Sequence, residues 1–329
     1  MLGYVARRIL LAVPVVLGVT VVTFTIMHLT AGSHIPGLQI SPNLTPGQVA
    51  QIRQNLGLDK PVTTQYVDWL GNALRGNFGR SLEDQTSVSA QILSRLPATL
   101  ELTGAALLLG LLFSIPIGVI GAVKRGTKLD HALTGISVLG FAIPQFWLGL
   151  ILILFFSVQF HKWGLPSLPQ SGMTSDVNGG GFEDRITHLV MPATVLAFFY
   201  IATWSRYLRS SMVEVFSRDY MRTALAKGMS RKRAVLVHGL RNGIIPLATL
   251  LGLALPYLLS GALVVEIVFG WPGIGLFAYQ RALDFDYPSV LGTTTLTAFL
   301  VVTGNLIADL LYAVLDPRVA SGLRGEPAT

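Results

Sequence analysis

The sequence contains no cysteine among its 329 residues. Disulfide bonds, thiolate metal sites, iron–sulfur clusters and cysteine nucleophiles are therefore excluded. Charged side chains are also scarce, at 12% of the chain, about half the roughly 25% that is typical of soluble proteins. Hydrophobic residues make up 51%. This composition predicts an integral membrane protein rather than a soluble enzyme.

Motifs that bind nucleotides or catalytic zinc are missing as well. The sequence has no Gly-x-x-x-x-Gly-Lys-Ser/Thr phosphate loop, which predicts that this chain binds no cofactor and that any ATP is bound by a partner. None of the six histidines lies in a His-Glu-x-x-His arrangement, and no nucleophile is paired with a base. These absences argue against an intramembrane enzyme, and they do not exclude a structural membrane scaffold.

Six stretches are long and apolar enough to cross a bilayer, which takes about 20 residues per helix. They are residues 9–29, 98–123, 132–160, 189–205 (to about 210), 242–265 and 287–315. We therefore predict an all-α bundle of six transmembrane helices. It divides into a tail and first helix at 1–30, an external loop at 31–97, and a core at 98–329 that contains a basic loop at 211–241.

The positions of the positive charges predict the orientation. Sixteen of the 24 lysines and arginines lie on one side of the six spans, together with both termini. Because such residues mark cytoplasmic segments, both termini are predicted to be cytoplasmic. The lysines and arginines that give the net charge of +7 lie at the membrane edges. The charge therefore indicates contact with the lipid bilayer and not with nucleic acid.

The external loop 31–97 contains two predicted amphipathic helices. Thr45-Pro46-Gly47-Gln48 is a capping box with proline at the first helical position. A second helix is predicted after Pro61, with apolar residues at helical spacing on one face. That face is formed by Val62, Tyr66, Trp69, Leu70 and Leu74. It either covers the bundle itself or contacts an external binding protein.

The basic loop 211–241 has the properties of a docking element. Residues 220–227 are rich in helix formers and end at Gly228, a suitable C-cap. Apolar residues on this helix are predicted to enter a groove on a partner, within a ring of positive charge. The apolar residues are Tyr220, Met221, Ala224 and Ala226, and the charged residues are Arg218, Arg222 and Lys227. The alternative is a loop that only binds lipid headgroups.

A few residues within the spans are candidates for a transport path. Pro144-Gln145 lies midway along the third predicted span, where proline kinks a helix, and Pro116 and Pro256 interrupt two others. Glu266, followed by the turn that contains Phe269 and Trp271, is a candidate outer gate. Glu101 and Asp309 are costly at membrane depth and face either a path or a structural partner.

Short segments along the whole chain resemble one family. They are residues 4–8, 56–61, 76–81, 95–102, 219–228, 240–242, 266–275, 286–288 and 311–318. In identity and order they resemble the B-type permease subunit of dipeptide and oligopeptide ATP-binding-cassette (ABC) importers. Residues 219–228 resemble the loop by which such permeases contact their ATPases. The residues that this resemblance assigns to ATPase coupling are Asp219, Tyr220, Met221, Arg222, Thr223, Ala224, Ala226, Lys227 and Gly228.

The resemblance implies a multi-pass type I importer permease of a prokaryotic cytoplasmic membrane, which forms half of a translocation pathway. The implied partners are a second homologous permease subunit, two ATPase subunits that bind ATP and Mg²⁺, and an extracytoplasmic solute-binding protein. The implied cargo is a peptide, with nickel chelates, glutathione or another small solute as alternatives. An ion-coupled secondary carrier is a more distant alternative, which the lack of an inverted repeat argues against.

Overall fold

The computed structural model describes residues 2–31, 60–175 and 180–315. Regular structure in these ranges is helical, apart from one antiparallel bridge between Arg80 and Ser87. The helices are α1 (Leu2–Ala31), α2 (Val62–Ala73), α3 (Val88–Val123), α4 (Lys128–Ala142), α5 (Gln145–Leu152), α6 (Phe182–Phe216), α7 (Asp219–Ala226), α8 (Arg231–Ala234), α9 (Ile245–Phe269), α10 (Ile274–Leu283) and α11 (Tyr287–Leu315). The chain continues from α5 through π-helical turns at Ile153–Gln159 to Phe160–Lys162, and from α8 through Val235–Leu240 to Arg241–Gly243.

Six apolar segments in the described ranges are long enough to cross a membrane, which confirms the predicted fold class. They are Arg8–Leu29, Val88–Val123, Gln145–Lys162, Phe182–Phe216, Arg231–Gly252 and Tyr287–Ala308. The helices α3 and α6 extend well beyond the predicted spans. Hydropathy identifies only the lipid-facing part of a helix, whereas these two helices continue into polar sequence at their ends.

The third predicted span, residues 132–160, is wrong as a single helix. The structure ends α4 at Ala142 and begins α5 at Gln145, with Ile143 and Pro144 in extended conformation between them. Proline has no N–H to donate and disfavours helical geometry in the residue before it, so the chain breaks here instead of kinking. The apolar span consequently runs over Gln145–Lys162. By contrast, α3 and α9 continue through Pro116 and Pro256 without a break in the helix.

The first of two compact units comprises the described residues within Leu100–Trp271 and Gly304–Thr329. Within it, α6 packs against α4, α5 and α9. Glycines allow close helix contacts: a Cβ atom at Gly140 would lie 2.8 Å from the Cβ of Ala202, and one at Gly110 would lie 2.9 Å from the Trp204 ring. Small residues of this kind let membrane helices approach backbone to backbone.

The second unit comprises the chain up to Thr99 and Pro272–Thr303. Its second helix, α2, confirms the helix predicted after Pro61. Tyr66 forms a hydrogen bond with Thr20 of α1 at 2.9 Å, and the rings of Tyr66 and Trp69 contact Phe24. Part of the amphipathic face therefore covers the first helix, whereas Val62 and Leu74 at its two ends are exposed. The capping box at Thr45–Gln48 lies outside the described residues.

Candidate functional site

The helix predicted in the basic loop is present as α7, Asp219–Ala226. It begins after Arg218, and Asp219 in the first turn places a carboxylate at the positive end of the helix dipole. The helix stops because Gly228 adopts φ +83°, a left-handed conformation that favours glycine. The predicted termination at this glycine is confirmed.

One face of α7 packs against its own chain. Met221 is 4% exposed and Ala224 is 8% exposed, and both are buried. Met221 belongs to an apolar cluster with Val215 and Ala234, flanked by the partly buried side chains of Phe216 and Met229. The expectation that Met221 enters a groove on a partner is therefore wrong, because Met221 attaches the helix to the ends of α6 and α8. Ala224 is also buried within this chain, at the edge of an open groove.

The rest of the surface of α7 is exposed in this chain. Tyr220 and Leu225 are 42% and 45% exposed. The remaining predicted coupling residues are exposed too, namely Asp219, Arg222, Thr223, Ala226, Lys227 and Gly228. Leu225 was not among the predicted site residues. It follows Met221 by four residues, so helical spacing alone would have placed it on the side of that buried residue, and only the structure shows that it is exposed. The surface offered to a partner is therefore an aromatic and an aliphatic side chain among positive charges.

An open groove of about 460 Å³ lies beside α7. Tyr220, Thr223, Ala224 and Lys227 line it from this helix. Met229, Arg233 and His238 line it from the segment that follows. The groove has an apolar floor and two cationic side chains at its edge. It therefore suits an acidic or polar segment of a partner that also carries an apolar side chain.

The segment after α7 connects this site to the membrane. The chain passes from α8 through a π-helical stretch, Val235–Leu240, into Arg241–Gly243 and then α9. At Gly239, a Cβ atom would lie 3.0 Å from the Phe216 ring and 3.3 Å from Cε of Met212. A side chain at this position would be crowded, so the π-helical stretch lies close against the end of α6. The segment after α7 therefore contacts α6 and is continuous with α9.

The candidate path and gate residues occupy different environments. Pro144 is exposed before α5, and Gln145 is half-buried at its first position. Glu266, Phe269 and Trp271 are all buried, in the turn where Gly270 ends α9 with φ +57°. The Phe269 carbonyl accepts a hydrogen bond of 2.8 Å from the Gly172 amide. In this conformation the three proposed gate residues are packed inside the protein, and none of them lines an open path.

Glu101 has a structural partner. Its two carboxylate oxygens accept hydrogen bonds of 2.8 and 2.9 Å from Nε of Arg185, and a terminal guanidinium nitrogen completes the pair. This geometry favours the structural interpretation of Glu101 over contact with cargo. The side chain of Asp309 lies outside the described part of α11.

The apolar spans and the exposed basic helix between two of them are features of a multi-pass membrane transport component, and comparisons with known proteins agree. A family model described as "Binding-protein-dependent transport system inner membrane component" matches residues 114–321, and one described as "Binding-prot-dependent transport system membrane comp, N-term" matches residues 1–103. The chain therefore belongs to the family of binding-protein-dependent transport system inner membrane components, the membrane permeases of ABC importers.

Similar proteins match over nearly their whole length. The oligopeptide transport system permease protein AppB of Bacillus subtilis (strain 168) is 42% identical, over 97% of this chain and 99% of the relative. The di/tripeptide transport system permease protein DppB of Pseudomonas aeruginosa (strain UCBPP-PA14) is 40% identical with the same coverage. An inward-facing structure of the MetNI methionine ABC transporter has a TM-score of 0.53 at 18% identity, covering 69% of this chain and 96% of that one, a likeness of fold.

Proposed function

We propose that this chain is the permease subunit of an ATP-driven importer of peptides, and that α7 is the element through which ATPase subunits move it. The observation that carries the proposal is the division of α7 into two faces. Met221 and Ala224 are buried against the chain itself, while Tyr220, Leu225 and Ala226 are exposed, and a groove lies beside Tyr220. A helix that is fixed on one side and free on the other is suited to transmitting force.

The proposed assembly follows from the family and the names of its members. A binding-protein-dependent system includes a solute-binding protein, and relatives at about 40% identity are named as peptide permeases. We assign to the same complex a second homologous permease, which completes the path, and two ATPases that bind ATP and Mg²⁺. This chain would supply no group to ATP hydrolysis; its part is to change conformation when the ATPases close.

Cysteine crosslinking tests the proposed contact, since the natural chain has no cysteine to remove. Ala226→Cys lies at an exposed position of α7, whereas Met221→Cys lies at a buried position of the same helix that does not line the groove. We expect Ala226→Cys to form a disulfide with a cysteine placed in the groove of the ATPase, to an extent that changes with ATP. Nonreducing electrophoresis of membranes that contain the assembled complex measures it.

Met221→Cys is the control, because it places the cysteine on the same helix at a side chain that is 4% exposed, and it should crosslink at least about tenfold less. Equal crosslinking of the two variants would show that the buried face is not fixed as described. Absence of crosslinks at Ala226, Tyr220 and Lys227, in complexes that still co-purify, would contradict the assignment of α7 to the ATPase contact.

The Glu101–Arg185 pair supplies a test against ion-coupled transport. Glu101→Gln leaves the Arg185 guanidinium without its anion, and we expect a loss of stability of about 1–2 kcal/mol, with peptide uptake within about twofold of wild type. Thermal unfolding in detergent and uptake of a labelled dipeptide measure the two effects. The exchanged pair Glu101→Arg with Arg185→Glu should recover part of the stability. Loss of uptake at unchanged stability would instead give Glu101 a role in transport.

A further inference from the structure

A second cavity lies between α4 and α6, away from α7. Its volume is about 570 Å³, and it is open to the surface. Arg206 lies on its wall together with the hydroxyl groups of Thr134, Thr203 and Ser210. No residue that lines the cavity is acidic. The wall therefore offers one cationic group and several hydrogen-bonding hydroxyls to a ligand.

The positive charge in this cavity belongs to Arg206, because its neighbour Arg209 is already neutralised. Arg209 donates from Nε and from a terminal nitrogen to the two oxygens of Asp130, at 2.5 and 2.7 Å. Hydrogen bonds from Arg209 and from the Gly126 amide lower the pKa of Asp130 to about 2, so this pair stays charged above pH 4 and is lost only as the pH falls toward 2. The Arg206 guanidinium, by contrast, forms no ion pair with any described residue.

Apolar surface borders the charge. Phe141 and Tyr207 line the cavity with 62% and 53% of their surface exposed, and Phe141 stacks on Phe199 with ring centroids 5.4 Å apart. A free inorganic anion gains nothing from such aromatic walls. A molecule that combines an anionic group with an adjoining hydrocarbon portion fits both parts of the cavity.

The cavity also lies at the depth of a lipid headgroup. Arg185, near the start of α6, and Arg206 are separated along one helix by about 30 Å at 1.5 Å per residue. That distance equals the thickness of the hydrocarbon core of a bilayer. Because Arg206 is at the end next to the basic loop, it falls at the predicted cytoplasmic boundary, where anionic headgroups are bound by basic pockets between helices.

We infer that this cavity binds the phosphodiester headgroup of an anionic lipid, with Arg206 as its charged contact and the Ser210 hydroxyl as a hydrogen-bonding neighbour. The adjoining aromatic surface of Phe141 and Tyr207 would contact the glycerol and upper acyl chain. The inference needs only that the chain resides in a membrane, and it is independent of cargo and of the ATPase contact at α7.

Native mass spectrometry of the full-length chain, in the complex that co-purifies with it, tests the site with phosphatidylglycerol as the probe. We expect Arg206→Gln to weaken binding of one lipid molecule by at least about fivefold, the effect of one basic residue near a headgroup. Ser210→Glu should produce the same loss by a different route, since its carboxylate, one turn from Arg206, would neutralise the guanidinium. It therefore keeps the test decisive if Arg206→Gln fails to fold.

Arg125→Gln is the matched control. It removes the same charge from an exposed loop position that does not line the cavity, and it should bind lipid like wild type. Equal binding by wild type and Arg206→Gln would overturn the inference. Release of the lipid by millimolar inorganic phosphate would also overturn it, by showing a simple anion site. Retention of phosphatidylglycerol under those conditions supports the lipid assignment.

Discussion

Replacement of Met221 by aspartate is expected to abolish ATP-coupled peptide uptake while the transmembrane helices remain inserted. Met221 is buried in the cluster that holds α7 on the ends of α6 and α8. A carboxylate at this position would be buried without a partner, at a cost of several kcal/mol. We therefore expect α7 to detach from α6 and α8, so that the carboxylate is exposed to water. We expect uptake of a labelled dipeptide to fall by at least about tenfold.

The measurement compares peptide uptake with the ATPase activity of the same purified complex. Detachment of α7 should uncouple them, so that ATP hydrolysis no longer drives uptake. Met221→Leu is the control. It preserves volume and apolar character, should cost less than about 1.5 kcal/mol, and should transport like wild type. If Met221→Asp transported normally, the attachment of α7 to its own chain would have no part in coupling.

The position of α7 was predictable from the sequence, but its orientation was not. Helix formers followed by Gly228 specify a short helix and its end, since capping and left-handed backbone are local properties. Which face packs inward depends on Val215 and Ala234, which reach α7 only in the folded chain. Tyr220, Met221, Ala224 and Ala226 are all apolar or small, so an eight-residue helix gave no basis for separating Met221 and Ala224 from the exposed residues.

The third span illustrates a limit of hydropathy. Residues 132–160 are mostly apolar, and composition alone cannot distinguish a kinked helix from two helices. The local rule for the residue before a proline favours a break at Ile143, which the structure shows. By contrast, α3 continues without a break through both of its prolines. The outcome therefore depends on the packing around each proline and not on proline alone.

Asp286 represents contacts that no local pattern reveals. It is fully buried and accepts hydrogen bonds from the Ser81 hydroxyl at 2.6 Å, the Leu82 amide at 3.0 Å and the Ser289 hydroxyl at 2.7 Å. Nε of Arg281 lies 3.8 Å away. Residues 76–81 and 286–288 both contributed to the family resemblance, yet nothing in either segment indicates that they meet. The contact closes a loop of more than 200 residues, which only the fold brings together.

Asp286→Ala is therefore expected to give the largest loss of stability of any substitution considered for this unit. It removes the acceptor from the Leu82 amide and from the hydroxyls of Ser81 and Ser289, whereas Arg281 keeps its ion pairs with Glu83 and Asp84. Each buried donor left without an acceptor costs about 1–3 kcal/mol, so we expect a loss of about 3–5 kcal/mol. We expect a lower midpoint of thermal unfolding in detergent and faster trypsin cleavage after Arg80, which is exposed in the loop that Asp286 holds.

Two variants separate this network from a general effect of losing a carboxylate. Asp284→Ala makes the same substitution at an exposed position two residues away and should leave the unfolding midpoint and the cleavage rate unchanged. Asp286→Asn keeps one oxygen acceptor in place but removes the charge that faces Arg281, so its loss of stability should be intermediate. Equal stability of Asp286→Ala and Asp284→Ala would mean that the buried carboxylate does not hold the loop at residues 76–87. The packing of Phe78 against the apolar cluster that contains Val88 and Ile92 would then hold it.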